Sequence, residues 1–385
     1  MRDVFAAVFR RITFLTAVAT CCGVWWQCGA VAQAQAPSAG NWNAELEAIR
    51  AKHHLPALAA LAMIAGEVRG AGAVGVRKLG AKEEVTPTDK WHIGSCTKSM
   101  TATLAAMFVE QGKLTWETKI GDVLPELSTA MEPYWRAVTL EMLLTHRAGA
   151  PAEPPANLWR NASSRSGSPI AQRMNFVSGL VLRRTQEPPG TKYLYSNQGY
   201  AIAGAMLERV GGKPWEDLMR TMLFAPANMA SAGFGAPATP GKIDQPWGHS
   251  GPEMKPVPPG PAADNPPAIG PAGTVHCTLS DLARYAALHA LGERLGTMFL
   301  SREGFVKLHT APAGQDYAGG WIVTPRGWAG GKALRHAGSN TMFYLVIWIA
   351  PAKDAVFIAA TNCAGEAAAQ AADEAVSALI GKLLE

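Results

Sequence analysis

Trp91-His92-Ile93-Gly94-Ser95-Cys96-Thr97-Lys98 opens an apolar run in which Met100, Leu104, Met107 and Phe108 recur at three- and four-residue intervals. That spacing predicts a helix from about Cys96 to Gln111, with Gly112 as its stop. Residues three apart share a helix face, so a helix beginning at Ser95 places Lys98 beside the serine hydroxyl. A serine is a poor nucleophile until its proton is taken, and a lysine held neutral can take it. At a helix N-terminus the backbone N–H of Ser95 also points toward a developing oxyanion. Ser-x-x-Lys by itself is common. Its position at the opening of an apolar helix is the context the chemistry needs.

Two further segments carry groups that fit the same chemistry. Tyr195-Ser196-Asn197 precedes a helix predicted from about Gln198 to Val210 and follows Pro188-Pro189-Gly190-Thr191. A tyrosine held between cations would act as a proton carrier, because nearby positive charge lowers its pKa. Asn197 can accept from Lys98 and donate to a substrate carbonyl. His336-Ala337-Gly338-Ser339 closes a predicted strand. Its small residues let a substrate lie along the strand, the Ser339 N–H would complete an oxyanion hole with that of Ser95, and His336 would face the tyrosine. The candidate catalytic residues are therefore Ser95, Lys98, Tyr195 and His336. Asn197, Gly338 and Ser339 are the candidate substrate-binding residues.

The rest of the chain frames these segments. Residues 41–52 read as a short amphipathic helix through Trp42, Leu46 and Ile49, and residues 56–64 and 70–78 as strands joined near Gly66. Short apolar runs at Trp321–Thr324, Ala333–His336, Thr341–Ala350 and Ala355–Thr361 read as strands, and 366–384 as an Ala-rich helix. Strands at both chain ends with helices between them predict an α/β (α+β) fold. One mostly antiparallel sheet, formed by residues 40–89 and 313–385 and flanked by the terminal helices, would hold an inserted all-helical domain over 90–312. Another helix starts near Thr139. Thr278-Leu279-Ser280-Asp281 reads as a capping box for a helix through Leu288. The Pro- and Gly-rich stretch 235–273 reads as a long irregular loop.

Composition narrows the function classes. The 385 residues suggest about two domains, and 48% apolar residues supply a core that needs neither metal nor disulfide. Residues 1–34 read as a cleaved signal peptide: Arg2, Arg10 and Arg11, then apolar Ile12–Val24, then Ala32-Gln33-Ala34. The apolar stretch is short for a bilayer span, so the mature chain would be periplasmic or secreted without a stable membrane span. Cleavage lowers the formal net charge of +5 by two. That mild balance, with no basic cluster, excludes nucleic acid as the expected partner. Cys96, Cys277 and Cys363 of the mature chain allow at most one disulfide, and no CxxC or HExxH spacing suggests a metal.

Taken in order, the three segments match the Ser-x-x-Lys, Tyr-x-Asn and Lys/His-Thr-Gly boxes of the serine β-lactamase-related superfamily, which includes class C β-lactamases, DD-peptidases and family VIII esterases. Leu143-Leu144-Thr145-His146-Arg147-Ala148-Gly149, Pro189 to Tyr200, and Pro271-Ala272-Gly273 followed by Leu279 to Tyr285 also resemble that group. The resemblance covers most of residues 41–380. It implies a Ser95 acyl-enzyme, Lys98 as proton partner, Tyr195 as general acid, Asn197 orienting the acyl group, and His336 in the place of the third-box cation. It implies no cofactor. One departure matters: Ala337 stands where the group usually has a hydroxyl that holds a substrate carboxylate. Together with His for Lys at 336, this favours an ester or neutral amide over a penicillin or a D-Ala-D-Ala terminus. The alternative is a β-lactamase, D-Ala-D-Ala carboxypeptidase or penicillin-binding receptor that acylates and releases slowly. A relative that only binds is disfavoured by the intact Ser95, Lys98, Tyr195 and Asn197.

Other residues take plainer readings. Cys96 points away from the Lys98 face and reads as packed structure. His53-His54 do not converge on a metal. His92, His146 and His276 read as hydrogen-bonded supports. Tyr317 and Trp321 read equally as pocket or core. Asp264-Asn265 reads as a turn, and Asn161-Ala162-Ser163 is a formal glycosylation sequon.

Overall fold

Period-two alternation sorts the main sheet into two faces. The computed structural model describes residues 40–384, so the expected leader of residues 1–34 lies outside the described residues. The strands, in chain order, are β1 (Gly40–Asn41), β2 (Ala57–Ile64), β3 (Glu67–Gly75), β4 (Lys90–His92), β5 (Gly233–Phe234), β6 (Gly248–Ser250), β7 (Lys255–Val257), β8 (Val275–Thr278), β9 (Ile322–Arg326), β10 (Gly331–Ser339), β11 (Tyr344–Ala350) and β12 (Ala355–Thr361). Seven of them form one sheet in the order β1-β3-β2-β12-β11-β10-β9. Every pairing is antiparallel except β1 with β3. The β2–β3 hairpin turns through Ala65 and Gly66, both at positive φ, as the right-handed twist of a two-residue hairpin requires.

On β2, Leu58, Ala60 and Ala62 join one apolar cluster while Ala57, Ala59, Leu61 and Met63 join another. The first cluster includes Trp42, Leu46 and Ile49 of helix α1 (Asn43–Lys52). It also holds Ala368, Ala371, Ala372 and Ala375 of the C-terminal helix, Glu366–Leu384. Those alanines recur at i, i+3, i+4 and i+7, and their small size lets the helix lie close on the sheet. The second cluster continues into the helices between the two chain ends. Each leucine fully buried there stabilises the fold by about 1.5–3 kcal/mol.

Between the ends run helix α2 (Thr97–Glu110), helix α3 (Asn197–Gly211), helix α4 (Leu279–Leu295) and several shorter helices. Thr139 and Thr278 cap their helices, each accepting a backbone N–H with its hydroxyl, while the other half of the expected capping box does not form because Asp281 bonds Ser231 and Arg284 instead. Two details differ from the sequence reading. The segment 90–312 is not all-helical: β4-β8-β5 and β6-β7 form two small sheets, and β6 and β7 lie inside the stretch expected to be irregular. Strands of two to four residues are too short to show alternation, and β4 finds its partner β8 far along the chain, so only tertiary pairing reveals them. The second detail is that regular helix begins at Thr97, after a 3₁₀ turn over Gly94–Cys96. Cys96, Cys277 and Cys363 are free and buried, so the one disulfide left open by the sequence does not form. Among the described residues no helix is long and apolar enough to cross a membrane.

Candidate active site

The 3₁₀ turn that carries Ser95 is fixed from two sides. The Ile93 N–H donates to the Val275 carbonyl of β8 at 2.9 Å, and the Cys96 N–H donates to the Ile93 carbonyl at 3.1 Å. Gly94 has φ +48, and a side chain on it would overlap the backbone N of Ser339. A side chain on Gly338 would stand 2.8 Å from Ser95 N. The two backbones meet only because both residues are glycine. Their contact brings the N-terminal turn of α2 against the end of β10. Strand β9 pairs with β10 only over Gly331–Arg335, so that ladder stops before His336–Ser339.

Lys98, the second residue of α2, is fully buried. Its Nζ lies 3.0 Å from Ser95 Oγ, 2.7 Å from Asn197 Oδ1 and 2.9 Å from the Ala272 carbonyl oxygen. Asn197 is the first residue of α3, which is capped by the Ser196 hydroxyl. Tyr195 precedes that cap and donates its phenol proton to Ser95 Oγ at 2.8 Å. The structure therefore brings Ser95, Lys98, Tyr195 and Asn197 within hydrogen-bond reach. Burial, with no carboxylate beside it, drives the Lys98 amine well below the ordinary lysine range. In its neutral form the amine has two N–H donors and one lone pair. The Asn197 and Ala272 oxygens can only accept, so they take the donors and leave the lone pair for the Ser95 hydroxyl.

Two expectations change in their physical detail. Tyr195 was expected to have its pKa lowered by flanking cations; burial instead raises it, against the opposing effect of its hydrogen bond to Ser95. His336 was expected to face Tyr195, but its Nε2 bonds the Tyr317 hydroxyl at 3.1 Å and its Nδ1 the Ala337 carbonyl at 2.7 Å. The carbonyl can only accept, so Nδ1 carries the ring proton and Tyr317 donates to Nε2. Burial, then the neighbouring Lys98, lowers His336 to about 3. Its site is therefore uncharged at neutral pH.

Tyr317 is the residue that sequence reasoning left undecided. It is buried, stacks edge-on to Tyr195 at 6.5 Å and lies 4.6 Å from the His146 ring. The Ala272 carbonyl was also missed, because a backbone acceptor leaves no side-chain signal, although Pro271-Ala272-Gly273 was noted as a segment. The supporting histidines are in place. His92 bridges Asp264 at 2.7 Å and accepts from the Gly94 N–H, and His146 Nδ1 accepts from the Ser196 N–H. His276 is bonded to the Gly235 carbonyl. Cys96 is buried and its thiol is pushed up to about 12 by desolvation. His53 bonds Glu374, and no metal-competent cluster occurs among the described residues.

The chain is similar to several known proteins. Penicillin-binding protein 4 of Amycolatopsis lactamdurans is 30% identical over 298 residues, 76% of this chain and 75% of that protein. Lovastatin esterase of Penicillium rubens is 27% identical over 42% of this chain, and the match spans 44% of the esterase. Among solved structures, a class C beta-lactamase superposes with TM-score 0.71 at 18% identity, covering 88% of this chain and 94% of that one. The octameric penicillin-binding protein homologue from Pyrococcus abyssi superposes with TM-score 0.70 at 24% identity, covering 88% and 77%. These two structures establish a β-lactamase/transpeptidase-like fold. The family model described as Beta-lactamase matches residues 42–382, and the chain belongs to the Beta-lactamase family of serine hydrolases.

Proposed function

We propose that the protein is an exported serine hydrolase acting on esters or neutral amides through a Ser95 acyl-enzyme, with esters favoured. The observation that carries this is the placement of Ser95 Oγ between the buried Lys98 amine and the Tyr195 hydroxyl. Ser95 Oγ attacks the substrate carbonyl carbon as its proton passes to Lys98 Nζ. The oxyanion is held by the backbone N–H groups of Ser95 and Ser339. Collapse expels the leaving group, which takes the Tyr195 proton, and Lys98 returns a proton to the tyrosine. In the second half a water attacks the ester, and the same pair runs in reverse. General acid–base transfer of this kind is worth about 10²–10⁴-fold. Asn197 orients the acyl group, and Gly338 leaves room beside the strand. His336 acts by fixing Tyr317 rather than by carrying charge.

The substrate preference follows from the charges. Burial holds His336 neutral and shifts the Lys98 amine toward its neutral form, and Ala337 offers a methyl where a hydroxyl would hold a carboxylate. A neutral acyl donor fits that environment better than an anionic one. The likeness to a penicillin-binding protein over three-quarters of both chains supports a second reading, a β-lactam or cell-wall peptide substrate released slowly. The proposed periplasmic or secreted location rests on the signal-like residues 1–34.

The purified mature protein, given a short-chain nitrophenyl ester and a chromogenic cephalosporin, separates these. Ester turnover that disappears in Ser95→Ala, with little cephalosporin cleavage, is expected. Cephalosporin turnover, or a stoichiometric burst that stops, would establish the second reading instead.

A further inference from the structure

Residues 144–151 and 186–196 lie side by side. The Gly190 N–H donates to the Arg147 carbonyl at 2.8 Å, and the Gln186 N–H to the Gly149 carbonyl at 2.8 Å. His146 takes two bonds from the facing segment. Its carbonyl accepts from the Leu194 N–H at 2.8 Å, and its ring Nδ1 accepts from the Ser196 N–H at 3.1 Å. Those donors stand on either side of Tyr195, so one residue grips the backbone before and after the tyrosine. It does so from an unusual conformation: His146 has φ +57, in the left-handed region that a residue with a side chain adopts at a cost.

The Ser196 N–H can only donate, so Nδ1 of His146 carries the lone pair and Nε2 the proton. Nε2 is buried without a hydrogen-bond partner among the described residues, and the ring lies 4.3 Å from that of Tyr195 and 4.6 Å from that of Tyr317. An apolar ring would fill the same space without burying an orphan N–H, so the bond to Ser196 is what the imidazole adds. Burial, then the neighbouring Lys98, holds the ring well below the ordinary histidine range, which keeps Nδ1 an acceptor. We infer that His146 is a positioning residue for the proton-donating step, holding Tyr195 so that its hydroxyl reaches both Ser95 Oγ and the leaving-group oxygen. This role rests on the Ser95 acyl-enzyme, with Tyr195 as its general acid, proposed above. A general acid works only within hydrogen-bond reach of the atom it protonates, and a misplacement of about 1 Å costs about 10²-fold. Loss of the grip therefore falls on leaving groups that need a proton and spares those that depart as stable anions.

The test uses butyrate esters of p-nitrophenol, phenol and ethanol, followed by acid release, on wild type, Tyr195→Phe, Ser95→Ala and variants at His146. Nitrophenolate leaves without a proton, and ethoxide does not. Tyr195→Phe should raise the ratio of nitrophenyl to ethyl kcat/KM by about 10²-fold or more. His146→Gly and His146→Ala both remove the acceptor and differ in backbone freedom. Each should raise that ratio by about tenfold, and either one suffices if the other does not fold. His146→Asn tolerates positive φ and offers Oδ1 where Nδ1 stood, so its ratio should return to within about threefold of wild type. A ratio taken within one variant is independent of the folded fraction, so a merely structural role would not move it. Equal loss on every ester in His146→Gly or His146→Ala, or a His146→Asn ratio no closer to wild type than theirs, overturns the positioning role, while a raised ratio in Tyr195→Phe leaves the mechanism standing. A Tyr195→Phe ratio unchanged from wild type, release that persists in Ser95→Ala, or none from any ester in wild type, overturns both.

Discussion

Helix α2 carries buried polar groups on two faces, and they are finished differently. On one face Lys98 meets Ser95, Asn197 and a backbone carbonyl. On the other, Ser99 and Thr103 each lie 3.1 Å from the Tyr285 hydroxyl of α4. Tyr285 is 2.8 Å from His289 Nε2, His289 Nδ1 is 2.8 Å from His309 Nε2, and His309 Nδ1 is 2.7 Å from Glu293, which also holds Lys332. Burial pushes both histidines below their ordinary value, while hydrogen bonds hold Glu293 down at about 2 against the opposing desolvation. This second chain ends in an ionised carboxylate, so every imidazole nitrogen has a defined role as donor or acceptor. The Lys98 cluster ends in a hydroxyl that must give up its proton. Equal burial thus yields a brace where the chain terminates in a fixed charge, and a reactive base where it terminates in a nucleophile.

The largest effect expected from this difference is on the Lys98 face. Lys98→Met should lower kcat/KM by at least about 10³-fold, since an apolar chain of similar length has no lone pair to take the Ser95 proton. In wild type, kcat/KM should fall as pH is lowered through the depressed pKa of Lys98, because protonation removes the lone pair that Ser95 needs. A profile without that acid limb would show that Lys98 is not the base.

Tyr285→Phe tests the opposite face. It should cost about 1–3 kcal/mol in urea unfolding for removing the buried donor to His289 Nε2, while kcat/KM per folded molecule stays within about threefold. A loss of kcat as large as that of Lys98→Met would erase the distinction between the faces. An acid sensitivity lies outside the second face, on strands β8 and β10. His276 is lowered to about 4 and His336 to about 3, each mainly by desolvation. The unfolded chain therefore binds more protons than the native one between those values and the ordinary histidine range near 6.5, so stability rises with pH across that window. Chemical denaturation should show stability declining as pH drops below about 6.5, before the carboxylates titrate. The smallest effect is expected between the faces. Cys96→Ala should change kcat/KM less than about twofold, and the native thiol should resist iodoacetamide.

How much of this was legible in the sequence depended on what fixed each contact. Ser95 and Lys98 could be paired because a helix imposes the spacing. Asn197 could be placed because Tyr195-Ser196-Asn197 runs into a cap and a helix. The sheet was legible from short apolar runs such as Ala57–Ile64 and Ala355–Thr361, and the C-terminal helix from its alanines. What stayed hidden was decided by distant chain. The partner of His336 is Tyr317, in an irregular segment with no periodicity, and the partner of Lys98 at Ala272 is a peptide oxygen. The pairing of β4 with β8 joins residues that no local pattern connects. The expected cation beside Tyr195 also failed for a tertiary reason, because only the folded structure shows how completely Lys98 and His336 are shielded from water.

The glycine contact between the two backbones has a consequence for how such an enzyme can diversify. Gly94 and Gly338 each occupy the space a neighbour's side chain would need, so neither position admits a substitution that keeps the spacing between the Ser95 and Ser339 amides. The centre of the cleft is a fixed gauge that point mutation can break but cannot retune. Selection for a new substrate has to act away from this contact, on residues whose substitution leaves the two backbones where they are.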